Sequence, residues 1–116
     1  MDALKRHKIS RTALRNHCKK LEGDIAALLQ EFPADGLVKL RALKCAYEGQ
    51  KAKCDVATGE ISQLIANEED LLADLEDCTR LDEIFYDTIS KINEKLNSVA
   101  AADVKPVVVP SQNPPP

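Results

Sequence analysis

The sequence predicts an all-α protein: an antiparallel helical hairpin or coiled coil with a long second helix and a Pro-rich tail. Three observations predict it. Counting from Leu40 in steps of three and four, eighteen positions run without a skip to Val99, and all but Gln50, Glu68 and Asp82 are apolar. A 3.5-residue repeat held that long marks a helix that lies along another helix. Composition agrees, being rich in Ala, Leu, Glu, Lys and Asp, with Phe32, Tyr47, Phe85, Tyr86 and Met1 the only aromatic or Met residues among 116. That is too little bulk for a thick two-layer core. Finally, Pro33 is the only proline before Pro106, so the chain has one strong interruption.

Helix 1 is expected over about residues 2–31. Leu4, His7, Arg11, Leu14, Cys18, Leu21, Ile25, Leu28 and Phe32 follow the same alternating steps, and the last six are apolar. Packing should be firm from Leu14 onward and loose before it. Asp2 is placed to cap the first turn. The turn is expected at 32–36, Phe32-Pro33-Ala34-Asp35-Gly36. Pro33 lacks the N–H a helix would need and disfavours helix at Phe32, and Asp35 can cap the second helix with its carboxylate. So short a link turns the second helix back along the first.

Helix 2 is expected over about 37–98 as one element, because a break would usually shift the heptad phase and none is seen. The alternative is a break at 58–67, where Thr58, Gly59 and Asn67 combine weak helix propensity with capping side chains, giving a three-helix bundle. In the preferred reading helix 1 spans ~45 Å and helix 2 ~90 Å at about 1.5 Å per residue. Leu71, Leu75, Cys78, Phe85, Ile89, Ile92 and Leu96 then outlast their companion. Burying such side chains is worth about 1.5–3 kcal/mol each. They are therefore the expected self-association set, and the partner is a second copy or another coiled-coil protein. Residues 100–116 hold five of the six prolines and read as an extended linker or tail.

Net charge is −3, but the halves differ: residues 1–53 carry 12 Lys/Arg and 6 Asp/Glu, and residues 54–116 carry 4 and 13. Opposite halves favour association within or between chains. The acidic run Glu60–Asp87 could draw in the basic segment Lys5, Arg6, Lys8, Arg11, Arg15, Lys19 and Lys20 of a neighbour. The same seven residues are the candidates for nucleic-acid contact, which is not favoured because no aromatic side chains interleave them.

Chemistry-bearing patterns are missing. There is no GxxxxGK[ST] loop, HExxH or GxSxG. Cys18, Cys45, Cys54 and Cys78 have neither zinc-site nor CxxC spacing, and His7 and His17 complete no ligand set. Three of these cysteines fall on seam positions, where thiols serve as small apolar groups, while Cys45 falls off the seam. The expectation is a non-enzymatic chain with no cofactor and no metal. No apolar run approaches the roughly 18 residues of a membrane span, and no signal-peptide pattern or myristoylation glycine is present. A cytoplasmic location is expected.

Leu4-Lys5-Arg6, Arg11-Thr12-Ala13-Leu14-Arg15, Leu28-Leu29, the acidic Leu71-Leu72-Ala73-Asp74-Leu75-Glu76-Asp77, and Asp87…Ile89…Ile92 before a Pro-rich stretch resemble the N-terminal segment of Gag-like polyproteins of BEL/Pao-type retrotransposons. The likeness covers about residues 1–110. It implies a short basic helix, a turn and a long acidic helix ahead of a linker and a capsid-like region, in a chain that is one piece of a larger polyprotein. That family's protease, reverse transcriptase and zinc knuckle have no matching residues here. The expected function is a self-assembly segment of a retroelement Gag-like protein. The alternative is a cellular coiled-coil adaptor or tether for a different helical partner.

Overall fold

In a computed structural model, residues 2–108 are described for the backbone and 2–100 for the side chains. Three helices occur in order: α1 Ala3–Gln30, α2 Gly36–Leu64 and α3 Glu68–Val108. Among the described residues there is no strand. The all-helical expectation is met. The single long second helix is corrected: it breaks at Ile65-Ala66-Asn67, and the three-helix alternative is what forms. Of the extended tail expected over 100–116, the backbone to Val108 instead continues α3, and from position 109 the tail lies outside the described residues.

Each helix start has a local cause. Asp2 caps α1, its Oδ1 accepting from the Lys5 N–H at 2.8 Å. Pro33 stands in the middle of the first connection, and the Gly36 N–H donates to its carbonyl at 2.9 Å. Asp35 stands at the N-cap of α2, but its carboxylate makes no cap hydrogen bond and pairs with Lys39 at 3.4 Å instead. Gly36 is buried under Phe32, where an added Cβ would come within 2.8 Å of the ring. At the second connection the backbone of Ile65 is extended (φ −82°, ψ 117°). Asn67 then caps α3, its Oδ1 accepting from the N–H groups of Glu69 (2.8 Å) and Asp70 (3.2 Å). Glu68, Glu69 and Asp70 fill the first turn, where the exposed N–H dipoles favour negative charge.

The bundle is a rod of 76 × 28 × 17 Å. α1 and α2 lie close together along their length, and α3 returns antiparallel to α2 and stands further off. The core gathers toward the α1–α2 turn. Ile25, Leu40, Tyr47 and Ile92 are 0–1 % exposed, with Leu21 beside them. Leu28, Leu29, Phe32, Leu43, Phe85, Ile89 and Leu96 pack around this cluster. Tyr47 and Phe85 stack at 4.9 Å between centroids, and Lys95 lies 4.5 Å above the Phe32 ring.

The expected self-association set is thus engaged inside the chain. Ile92 is fully buried, Phe85, Ile89 and Leu96 pack on the core, and Cys78 faces α1 and α2. Leu71 is half-buried, and Leu75 remains 44 % exposed. The cause is the break. Once α3 folds back, the stripe finds its partner in the hairpin it grows from. The gain from burying several large side chains outweighs the few helical hydrogen bonds given up at three residues.

Candidate functional site

The end of the bundle away from the α1–α2 turn combines one fully buried apolar side chain, Ile61 in the last turn of α2, with a network of charge. Arg11 of α1, only 5 % exposed, faces α3. Its guanidinium meets the Asp74 carboxylate in a two-pronged pair, Nη1 to Oδ2 at 3.0 Å and Nη2 to Oδ1 at 2.5 Å. Nη1 also donates to Thr58 Oγ1 on α2 at 3.2 Å, so one side chain joins all three helices. A turn further along α1, Arg15 pairs with Asp77 at 2.9 Å and approaches Cys78 Sγ at 3.3 Å. Lys51 of α2 bridges Asp55 (2.6 Å) and Asp82 (2.7 Å). His7 Nδ1 lies 3.0 Å from a Glu60 carboxylate oxygen.

This pairing sets the electrostatics. The hydrogen bonds from Arg11 hold the Asp74 carboxyl below its ordinary value, against the opposing effect of burial. Asp74 in turn raises the Arg11 guanidinium. Both groups stay charged, which is what a buried bidentate pair requires.

Between this clamp and the Tyr47–Phe85 layer lies a half-open cavity of about 300 Å³ under α3. Cys18, Cys54 and Cys78 line it, with Leu75, Leu81 and Ile84 of α3. Thiols fill less space than leucine side chains, which leaves the layer hollow. Cys18 Sγ and Cys54 Sγ are 4.0 Å apart, and all four cysteines are free thiols. Burial, reinforced by Cys54, pushes the Cys18 thiol up to about 12, and burial also raises Cys54. Protonated thiols in this setting act as apolar fillers rather than nucleophiles. Cys45 is exposed. Among the described residues, no group of three or more His, Cys, Asp or Glu is placed to hold a metal ion, and no helix is long and apolar enough to cross a membrane.

The seven basic candidates divide. Lys5, Arg6, Lys8, Lys19 and Lys20 are exposed on α1, whereas Arg11 and Arg15 are turned toward α3 and taken by Asp74 and Asp77. The attraction expected between basic and acidic segments operates here within one chain. Of the seam's polar interruptions, Glu68 is exposed in the first turn of α3 and Asp82 sits at a half-open position against Lys51. Gln50 is different: its Oε1 is buried with no hydrogen-bond partner.

Sequence reasoning missed Asp74, Asp77 and Thr58 as partners. The heptad count places Leu75 inward at the start of α3, but the helix turns Asp74 inward instead. The signal was Arg11 itself, a cation on a seam position of helix 1 that calls for an acid opposite.

Fold and site together define a small three-helix bundle closed by an internal arginine–aspartate clamp. No protein-family model, curated protein or solved structure matches the chain.

Proposed function

We propose that this chain is a non-enzymatic helical interaction module that binds an amphipathic helix of a different protein along the exposed side of α3 that carries Leu72, Leu75 and Tyr86, beside the mouth of the half-open cavity. The observation that carries this reading is an exposed apolar strip in an acidic setting. Leu72, Leu75 and Tyr86 are 57 %, 44 % and 64 % exposed. Their spacing, three residues and then eleven, sets them on one side of the helix. Exposed Glu68, Glu76 and Glu83 flank them. A partner helix with an apolar stripe between basic residues would meet both features. The free thiols favour a reducing compartment, and we place the chain in the cytoplasm.

The test is a titration of the full chain with a lysine-flanked amphipathic helical peptide, monitored by amide chemical shifts. Shifts at Leu72, Leu75 and Tyr86, abolished by the double variant Leu72→Glu/Leu75→Glu, are expected. Identical shifts with a polar peptide of the same charge would overturn the reading, since only electrostatics would then be acting.

A second reading is a self-assembly segment, the role that the resemblance to Gag-like proteins implies, and one observation speaks for self-assembly. In the sequence, the heptad count Ile61, Leu64, Glu68, Leu71 passes through the α2–α3 break without a skip. A break made only to end a helix would not need to keep it.

A further inference from the structure

We infer that Ile65-Ala66-Asn67 is an exchange hinge, and that the partner it serves is a second copy of this chain whose α3 takes the place of the chain's own. This deepens the self-assembly reading and rests on it.

The contacts of α3 fall symmetrically about the hinge. On α2 and α3, Tyr47 meets Phe85, Lys51 meets Asp82, and Thr58 meets Cys78. Each pair is centred within two residues of position 66, the middle of the hinge. If the hinge became helical, α2 and α3 would form one continuous rod. Two such rods lying antiparallel about a two-fold axis at position 66 would bring residue 47 of one chain to residue 85 of the other, and 51 to 82. Every contact that α3 makes inside one chain is then remade between two, including Arg11 with Asp74. What permits it is that Ile61, Leu71, Cys78 and Phe85, each buried or half-buried, keep one heptad phase across the hinge, because a shifted phase would rotate α3 away from the partner's hairpin.

The hinge has the properties of a balance. Closed, it keeps the two Asn67 cap bonds and leaves Leu64 41 % exposed. Straightened, it loses the caps, regains helical hydrogen bonds, and brings Leu64 level with Glu68 and Leu71 level with Ile61 of the second copy. With all other contacts equal, the hinge residues and the protein concentration decide between monomer and exchanged dimer.

Two hinge variants push the balance in opposite directions. Asn67→Ala removes the caps and supplies the best helix former, and should raise the dimerisation constant about tenfold or more. Ala66→Pro demands an extended residue before it, which Ile65 already is, and forbids the continuous rod, so it should stay monomeric at every concentration. Light scattering on the eluting full chain reads both. Exchange itself is read by mixing two clamp variants, Arg11→Glu and Asp74→Arg, after joint refolding from urea. Alone, each holds like charges at the clamp. Together, exchange pairs Glu with Arg in one half and Arg11 with Asp74 in the other, so a heterodimer with regained helicity is expected. If Asn67→Ala dimerises but the mixture gives no heterodimer, exchange is wrong and self-assembly by another surface stands. If Asn67→Ala is as monomeric as Ala66→Pro, both fall.

Discussion

The two ends of the bundle are closed by different physics. At the α1–α2 turn Leu21, Ile25, Leu40 and Ile92 meet with almost no exposed surface. At the other end buried Ile61 is joined in the interior by Arg11, Asp74 and Thr58. Apolar packing is strong but accepts many registers. A two-pronged ion pair adds little net stability after its desolvation cost, but it tolerates only one alignment. The turn end therefore holds α3 on, and the hinge end decides where α3 sits.

The largest effect should come from unbalancing the clamp. Arg11→Ala leaves Asp74 charged and unpaired in the interior, a loss of about 3–5 kcal/mol in urea unfolding. Removing both charges with Arg11→Met and Asp74→Leu should restore stability to within about 1 kcal/mol of the parent or above it. If the single variant were as stable as the double, the pair would not be desolvated as its burial implies.

Next comes the apolar end. Ile92→Ala should cost about 2–5 kcal/mol, since Ile92 is fully buried against α1 and α2. The two single variants are predicted to differ in kind. Arg11→Ala should free the start of α3 to hydrogen exchange, while Ile92→Ala should loosen the helix near the turn.

Acid should separate the ends without any substitution. The Asp74 carboxyl is held below its unfolded value of 3.8 by the bonds from Arg11. A depressed acid contributes stability that is present above the unfolded value and disappears as pH falls through the lower folded one. From neutral pH down to about 5 this contribution should therefore be constant; it should start to fall as the pH nears the unfolded value and be gone only below the folded one. The double variant Arg11→Met/Asp74→Leu should lose this part of the acid dependence. An unchanged acid profile in the double variant would assign the loss to other carboxylates.

How much of this was legible in the sequence depends on which signal carried each part. The first helix and its turn were readable because Asp2, Pro33 and Gly36 act locally. The break at 65–67 was hidden by the continuity of Ile61, Leu64, Glu68 and Leu71, which argues for one helix as long as phase is the criterion. Asn67-Glu68-Glu69-Asp70 is a helix start by local chemistry, a capping amide and then three acids. Local capping and long-range periodicity disagreed there, and burial of the distal stripe decided for the cap. The clamp was half legible. The charge difference between the halves pointed to an attraction, and Arg11 lay on the seam. The choice of Asp74 over its many acidic neighbours needed the register of α3, which depends on the hinge.

Tyr47 marks the boundary between the two ends and gives the smallest effect. Its ring stacks on Phe85 as part of the apolar core, while its hydroxyl donates to Glu22 Oε2 at 2.7 Å beside the hollow layer. Burial, with Glu22 next in effect, raises its hydroxyl above the ordinary tyrosine range, so it remains a donor at any pH the fold survives. Tyr47→Phe keeps the stack and deletes the bond. Glu22 is only half-buried, so water can satisfy the freed carboxylate. The loss should then be about 1 kcal/mol in urea unfolding, the value of one hydrogen bond whose partner is not stranded. A loss of about 3 kcal/mol would mean that Glu22 is stranded after all and that the polar end reaches as far as Tyr47. A negligible loss would move the boundary toward the hinge and leave Tyr47 acting through its ring alone.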